Sequence, residues 1–401
     1  MKFPIQLLVL IFAASPILKA EPDLFTSAFI NGKITLNARL RYETVEQTQL
    51  NTAEAFTLRT RVGFTTATWL GLKAQIEAEN ITAADGDRYS QSGLNPAAKG
   101  RAVVADPEAS EINQLWLAYS VQKTTATIGR QRINLDNARF IGDVGWRQNM
   151  QTYDALVVQN KSFTTATLTY AYLDQINRVF GPTHPQGKWR SDSHVLHANY
   201  GGLSLGTLAA YVYLLDFKNA AANSCATEGV SLTGSKPLSS EFNFTYRAEL
   251  ATQSATGYSP LYYKTTYAAL DAGLTWKSAA ISLGYEQLGS DHNIGFKTPL
   301  ATLHAFNGWA DLFLNTPAAG LRDTYIKATY HFPAKLDGTF FWHRFTTDAT
   351  TTRLGDESDA QLIRKFGKSL TAILKFADFR SSRAASYANV QKLWAQLDYE
   401  Y

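Results

Sequence analysis

The feature that most restricts the fold is a two-residue alternation of apolar and polar side chains, which recurs along almost the whole chain. Leu72, Ala74, Ile76 and Ala78 alternate with Lys73, Gln75, Glu77 and Glu79. Nearer the N-terminus, Ile34, Leu36, Ala38, Leu40 and Tyr42 alternate with Lys33, Thr35, Asn37, Arg39 and Arg41, and Phe56, Leu58, Val62 and Phe64 share a face opposite Arg59 and Arg61. Successive side chains of a strand point to opposite faces, so each run describes a sheet that is apolar on one side and polar on the other. The theme returns in Ala166–Tyr172, in Leu205, Ala209, Tyr211, Tyr213 and Leu215, and in Phe242–Leu250, Ala268–Trp276 and Ile281–Tyr285. A soluble sandwich alternates as well, so the pattern alone leaves two architectures open.

Composition favours the membrane. Charged residues make up 18% of the chain, below the usual quarter or so, while aromatics reach 12%. No apolar run beyond the N-terminal segment is long enough for a spanning helix, and a chain that crosses lipid without helices must close its sheet into a barrel. Tyr42, Trp69, Trp116, Tyr119, Tyr172, Trp276 and Tyr285 stand near strand ends, where interfacial aromatic girdles belong. At the C-terminus Leu393, Ala395, Leu397, Tyr399 and Tyr401 share one face. This resembles the terminal assembly signal of bacterial outer-membrane barrels and makes the barrel-assembly machinery an expected partner. The expected fold is all-β: a transmembrane antiparallel up-and-down β-barrel of 18 strands, with 16 the alternative even number, and with loops folded towards the lumen.

Residues 1–20 read as a signal peptide, with Lys2 before a mostly apolar stretch and Leu18-Lys19-Ala20 as the cleavage site. Residues 21–401 then form a single barrel domain in the bacterial outer membrane, in contact with its lipids and without a plug, since strands are expected almost immediately. Loss of Lys2 and Lys19 lowers the formal charge from +4 to +2, too weak a balance to argue for nucleic acid. The single Cys225 excludes an intramolecular disulfide and reads as an incidental loop thiol. Long polar connections are expected at about 82–110, 133–151, 174–192, 218–240 and 290–320, as external loops or as segments folded into the lumen.

Two stretches carry a resemblance. One runs Gly129-Arg130-Gln131-Arg132-Ile133-Asn134, through Asp136-Asn137-Ala138-Arg139-Phe140, to Gly145-Trp146-Arg147-Gln148-Asn149 and Tyr153-Asp154-Ala155. The other runs Pro299-Leu300-Ala301-Thr302-Leu303-His304, then Phe306-Asn307-Gly308-Trp309-Ala310-Asp311 and Pro317 to Asp323. Both resemble the alginate-export family of outer-membrane proteins. That resemblance implies a monomeric barrel of roughly 18 strands with an electropositive pore constricted by loops. At 401 residues the chain is compact for an alginate exporter, so the resemblance supports a channel more strongly than it supports alginate as the solute.

The polar strand faces carry Lys33, Arg39, Arg41, Arg59, Arg61 and Arg247. An arginine facing lipid at mid-depth of a barrel costs about 2–4 kcal/mol, which assigns these to the lumen. Arg130, Arg132, Arg139 and Arg147 are expected at a constriction formed by the first stretch. Guanidinium groups grip carboxylates with paired hydrogen bonds, so such a wall suits an acidic, alginate-like saccharide or a small organic anion. Glu43, Glu77, Glu79, Asp136, Asp143, Asp154 and Glu249 are available as structural partners. In the second stretch His304, Asn307, Trp309 and Asp311 form a loop motif; an acid–base pair of His304 with Asp311 has no nucleophile beside it in the sequence, and the histidines lack metal-ligand spacing. A loop-anchoring role is expected, with no catalytic residue, cofactor or metal. The alternatives to a passive channel are a barrel hydrolase and a structural or adhesive barrel with a closed lumen.

Overall fold

The computed structural model describes residues 22–401; the signal peptide and its cleavage after Ala20 lie outside the described residues. The first half of the barrel comprises β1 (Lys33–Gln47), β2 (Ala53–Thr65), β3 (Leu72–Ala83), β4 (Ala109–Val121), β5 (Thr124–Gln131), β6 (Thr152–Asn160), β7 (Ala166–Asn177), β8 (Lys188–Leu203) and β9 (Gly206–Leu215). It continues with β10 (Cys225–Pro237), β11 (Phe242–Ser254), β12 (Lys264–Trp276) and β13 (Ala279–Leu288). After a small hairpin outside the barrel, β14 (Ser290–Asp291) and β15 (Ile294–Gly295), follow β16 (Leu321–Phe332), β17 (Leu336–Thr346), β18 (Arg353–Phe366), β19 (Leu370–Ser381) and β20 (Val390–Glu400). Barrel neighbours pair antiparallel, and β1 pairs with both β2 and β20, which closes an 18-stranded sheet. Closure leaves no edge with unsatisfied backbone groups. One end of the barrel carries short turns, the start of β1 and the end of β20; the other carries the long connections.

Alternation sorts the side chains as the sequence implies. Val62, Ile76, Leu117, Leu250, Leu270 and Leu283 are exposed on the outer wall, while Arg41, Arg59, Glu79, Glu249 and Glu286 are buried inside. Leu393, Leu397, Tyr399 and Tyr401 also face outwards, and Tyr401 exchanges backbone hydrogen bonds with Leu36 of β1 across the closure. Two faces differ from expectation. In β9 the exposed residues are Leu208 and Leu214, whereas Ala209, Tyr211, Tyr213 and Leu215 are buried. Both faces of β9 are apolar, so alternation could not orient it; the tyrosines turn inwards because Phe140, on an inward segment, packs against Tyr211 at 5.3 Å and Tyr213 at 6.2 Å. Trp116 also turns inwards, since its neighbours Leu115 and Leu117 occupy the outer face, and it leaves the expected girdle.

Three local expectations are corrected. A helix, α1 (Pro22–Ile30), precedes β1, and it rests on the outside of the barrel through Phe25 against Trp69 and Phe29 against Phe64. The connection expected at 218–240 is short, because β10 occupies Cys225–Pro237. Its outward positions include Glu228, Gly234 and Lys236 beside Val230 and Leu232, so its hydrophobic alternation is faint. Cys225 is therefore not a loop thiol: it starts β10, is fully buried, and pairs in register with Leu215.

Candidate functional site: the lumen and its inward segments

The two stretches singled out in the sequence fold into the barrel and meet. Ile141 bridges to Leu300, Gly142 N–H donates to the Leu300 carbonyl at 2.9 Å, and Thr302 N–H donates to that of Ala138 at 3.0 Å. Gln151 and Tyr153 both donate to the Gly142 carbonyl, at 2.9 and 2.6 Å, tying this junction to β6. The backbone turns tightly to do so, with positive φ at Asp136, Ala138, Val144, Asn307, Gly308 and Asp311. Asn and Asp tolerate this region better than other non-glycine residues. At Gly308 (φ 84°) a Cβ would run into the Glu357 carboxylate, so glycine is required there twice over.

Ion pairs bind these segments to the wall. Arg147 donates to Glu43 of β1 at 3.1 Å and to Asp311 of the second segment at 2.9 Å. Arg139 donates to both carboxylate oxygens of Glu286 on β13, at 2.7 and 3.1 Å, and to Asn307 Oδ1 at 3.1 Å. Asn307 Nδ2 and the Tyr267 hydroxyl complete Glu286, at 2.6 and 2.7 Å. Both arginines are buried. Burial lowers the affinity of a guanidinium for its proton, yet the surrounding carboxylates win and hold Arg139 and Arg147 above the ordinary arginine value. Arg130 and Arg132 do not join them: Arg130 makes a two-bond pair with Asp154, at 2.7 and 3.0 Å, and Arg132 binds Asp143 at 2.7 Å and is half exposed. The four arginines expected together at a constriction thus split into two loop–wall tethers and two local pairs.

The strand arginines line the interior. Arg39 pairs with Asp398 at 2.7 Å and donates to the Trp146 carbonyl at 2.9 Å. Arg41 donates to Gln396 and to the same carbonyl, lies 3.3 Å from Asp106, and covers the Trp146 ring at 4.2 Å. Arg61 pairs with Glu79 and donates to the Gln148 carbonyl at 3.1 Å. Arg247 pairs with Glu249 and lies 3.6 Å from Asp271. Arg59 stands apart. It faces Arg39 in the β1–β2 register and is 2% exposed; its Nη2 donates to Asn37 Oδ1, and its Nε and Nη1 have no partner among the described residues.

The four residues of the loop motif sit where the second segment meets the barrel wall. His304 Nδ1 lies 2.7 Å from Asp311 and its Nε2 lies 2.7 Å from Lys375 Nζ. A carboxylate only accepts and an ammonium only donates, so the ring carries its proton on Nδ1 and is neutral. Burial holds His304 well below the ordinary imidazole value, with Lys375 and Arg147 opposing protonation and Asp311 favouring it. Burial alone would raise the Asp311 carboxyl, but His304, Lys392 and Arg147 keep it well below the usual range. Trp146 stacks on His304 at 4.7 Å, and Lys375 sits 3.6 Å from the centre of Trp309. Trp309 and Ala310 N–H groups donate to Asp359 and Glu357 of β18. Both ring nitrogens of His304 are thus engaged, one by Asp311 of its own segment and the other by Lys375 of β19.

Several partners escaped the sequence reading. Lys375 and Lys392 belong to the alternation of β19 and β20 and were legible as inward cations flanked by Leu374 and Phe376, or by Leu393. Glu286, Asp323, Glu357 and Asp359 are likewise inward-facing acids on strands. Asp106, which receives Gln148 N–H at 2.8 Å, lies in an irregular connection and carried no such signal. Beneath the inward segments, on the short-turn side, a cavity of about 760 Å³ is lined by Arg247, Asp271, Asn307 and Lys327 together with the rings of Tyr325 and Phe341.

No protein-family model matches the sequence, and no curated protein matches it. Solved structures share the fold. Pseudomonas aeruginosa OccK9 (OpdG) superposes with a TM-score of 0.76 at 16% identity, over 93% of this chain and 99% of that one. Acinetobacter baumannii OccAB3 gives 0.74 at 16%, over 93% and 99%. Pseudomonas aeruginosa OpdK, solved with vanillate and described as an outer membrane protein, gives 0.69 at 13%, over 92% and 98%. None of this supports the alginate-export family in particular: the fold is shared with the Occ proteins across nearly the full length of both chains.

Proposed function

We propose that the protein is a porin-like channel of the bacterial outer membrane, passing small hydrophilic solutes with a preference for organic anions. The observation that carries this reading is the lumen itself, where two inward segments are zipped together and pinned to the wall on the side of the β1–β2 arginines, among which Arg59 is buried and incompletely paired. Loops held this way narrow a barrel above its inner cavity, and they favour compact solutes over a polysaccharide. Cations in a confined, low-dielectric passage replace part of an anion's hydration shell, while neighbouring acids keep its binding weak enough for release. The full-length fold shared with the outer membrane protein OpdK, one of whose structures holds the carboxylate vanillate, supports the same reading.

Proteoliposome swelling tests it. Small aromatic and aliphatic carboxylates are expected to enter faster than neutral sugars of equal size, and alginate oligomers to enter poorly. Equal rates for carboxylates and neutral sugars would remove the anion preference, and no swelling with any solute would favour a barrel with a closed lumen.

A further inference from the structure

The outer wall is not uniform. On β13, β16, β17 and β18 the outward positions Ala279, Ala328, Gly338 and Ala360 are small, and each faces a large aromatic in register: Ala279 and Gly338 flank Tyr330, and Ala328 and Ala360 flank Phe340, with Trp276 beside them. Small residues beside large aromatics leave a hollow of about 950 Å³ on the lipid-facing surface, lined almost wholly by apolar atoms. It begins next to the short turns and runs up the wall.

The rim above this hollow is basic. The short turns that close β12–β13, β16–β17 and β18–β19 are consecutive around the barrel, and each carries a lysine: Lys277, Lys335 and Lys368. Arg364, two residues from the outward Leu362 and Phe366, reaches the same rim and lies over the Phe366 ring at 4.8 Å. The nearby acids are few and engaged: Glu400, whose N–H donates to the Ser369 carbonyl next to Lys368, accepts from Asn37 Nδ2 at 3.1 Å. Glu241 pairs with Lys277 at 3.3 Å, and Asp337 is taken by His331 at 2.7 Å. Lys335, Arg364 and Lys368 are exposed and make no ion pair among the described residues.

We infer that this hollow and its rim form a binding site for an anionic phospholipid of the periplasmic leaflet, with an acyl chain over the alanine–glycine floor and the headgroup phosphate among Lys335, Arg364 and Lys368. The inference goes beyond channel function but rests on the reading of the chain as a membrane barrel, whose short turns face the periplasm. Charge complementarity selects the occupant. Long cations at the end of an apolar wall hold their charge at headgroup depth, where clustered Lys and Arg attract anionic lipid. A second copy of the chain would bring the same basic rim against itself.

Native mass spectrometry of the full-length barrel, delipidated in detergent and re-exposed to phosphatidylglycerol or to phosphatidylcholine of matched chains, reads the site directly. Wild type is expected to retain one phosphatidylglycerol in preference to phosphatidylcholine. K335Q/R364Q/K368Q should lower that retention at least about tenfold, as expected for removing several headgroup-level cations, and A328F/A360W, which fills the hollow, should lower it for both lipids. Heat-modifiable electrophoretic migration checks that each variant is folded, and conductance in planar bilayers checks the membrane reading separately. A conducting wild type that shows no preference, or charge variants that retain phosphatidylglycerol unchanged, would overturn the site while leaving the channel reading intact. Retention that needs the cations but survives A328F/A360W would overturn the groove. Dimers lost on filling the hollow, or preferential retention of lipopolysaccharide, would assign the surface to another occupant.

Discussion

Arg147, Asp311 and His304 show how a few side chains decide the shape of the lumen. Arg147 reaches Glu43 on the wall and Asp311 on the second inward segment, and Asp311 in turn holds His304 and Lys392. Removing one member of a buried, hydrogen-bonded ion pair leaves the other charge uncompensated, at a cost of about 3–5 kcal/mol. Asp311→Asn should therefore loosen the second segment, seen as faster proteolysis within residues 299–315, while the barrel keeps its heat-modifiable migration. Unchanged proteolysis would mean that the backbone junction at Ile141 and Leu300 suffices alone. His304 adds a pH dependence with a fixed sign. Its folded value is held below the ordinary 6.5, so the unfolded segment binds the extra proton first. The stability it contributes is complete above about pH 6.5 and declines as pH falls towards its lowered folded value. The hydrogen-exchange protection factors of the Leu303–Ala305 amides, taken relative to the intrinsic rate at each pH, should fall on acidification from pH 7 to 5, and His304→Asn should flatten that dependence.

At the scale of elements, strands were legible and the inward segments were only half so. Runs such as Leu72–Asn80 declare their two faces, because lipid outside and a polar lumen inside impose opposite demands on neighbouring residues. β10 and β9 were misread for complementary reasons: Glu228, Gly234 and Lys236 dilute the outer face of the first, while the second is apolar on both sides because Tyr211 and Tyr213 pack on Phe140. The family-like stretches marked the two segments that enter the lumen, yet not that they pair with each other. Such pairing depends on positive-φ turns and long-range tethers such as Arg139–Glu286, which no local pattern encodes. If these segments set the pore width, replacing residues 299–311 with a short Gly-Ser linker should raise single-channel conductance and weaken solute discrimination. A variant that folds with unaltered conductance would place the constriction elsewhere.

For the whole molecule, closure between β1 and β20 makes a barrel that satisfies its backbone against lipid, and function then depends on the distribution of charge within it. Most lumenal arginines turn out to be structural as well as electrostatic: Arg39, Arg41, Arg61, Arg130, Arg132, Arg139, Arg147 and Arg247 all have acid partners. The sequence could place these cations in the interior and offer Glu43, Glu79, Asp143, Asp154 and Glu249 as partners, but not Asp398, Asp106 or Glu286, which come from strands and loops distant in the chain. Arg59 is buried beside Arg39, makes no ion pair among the described residues and has two donor nitrogens unpartnered, so on the channel reading proposed above it contributes to the lumen through its field rather than by direct contact. The most direct measurement is the reversal potential of the refolded barrel in a planar bilayer under a salt gradient, for wild type and Arg59→Gln. An anion-selective wild type, with selectivity reduced in the variant, is the expected result. A cation-selective pore, or an anion preference that Arg59→Gln leaves untouched, would contradict an anion path along β1 and β2.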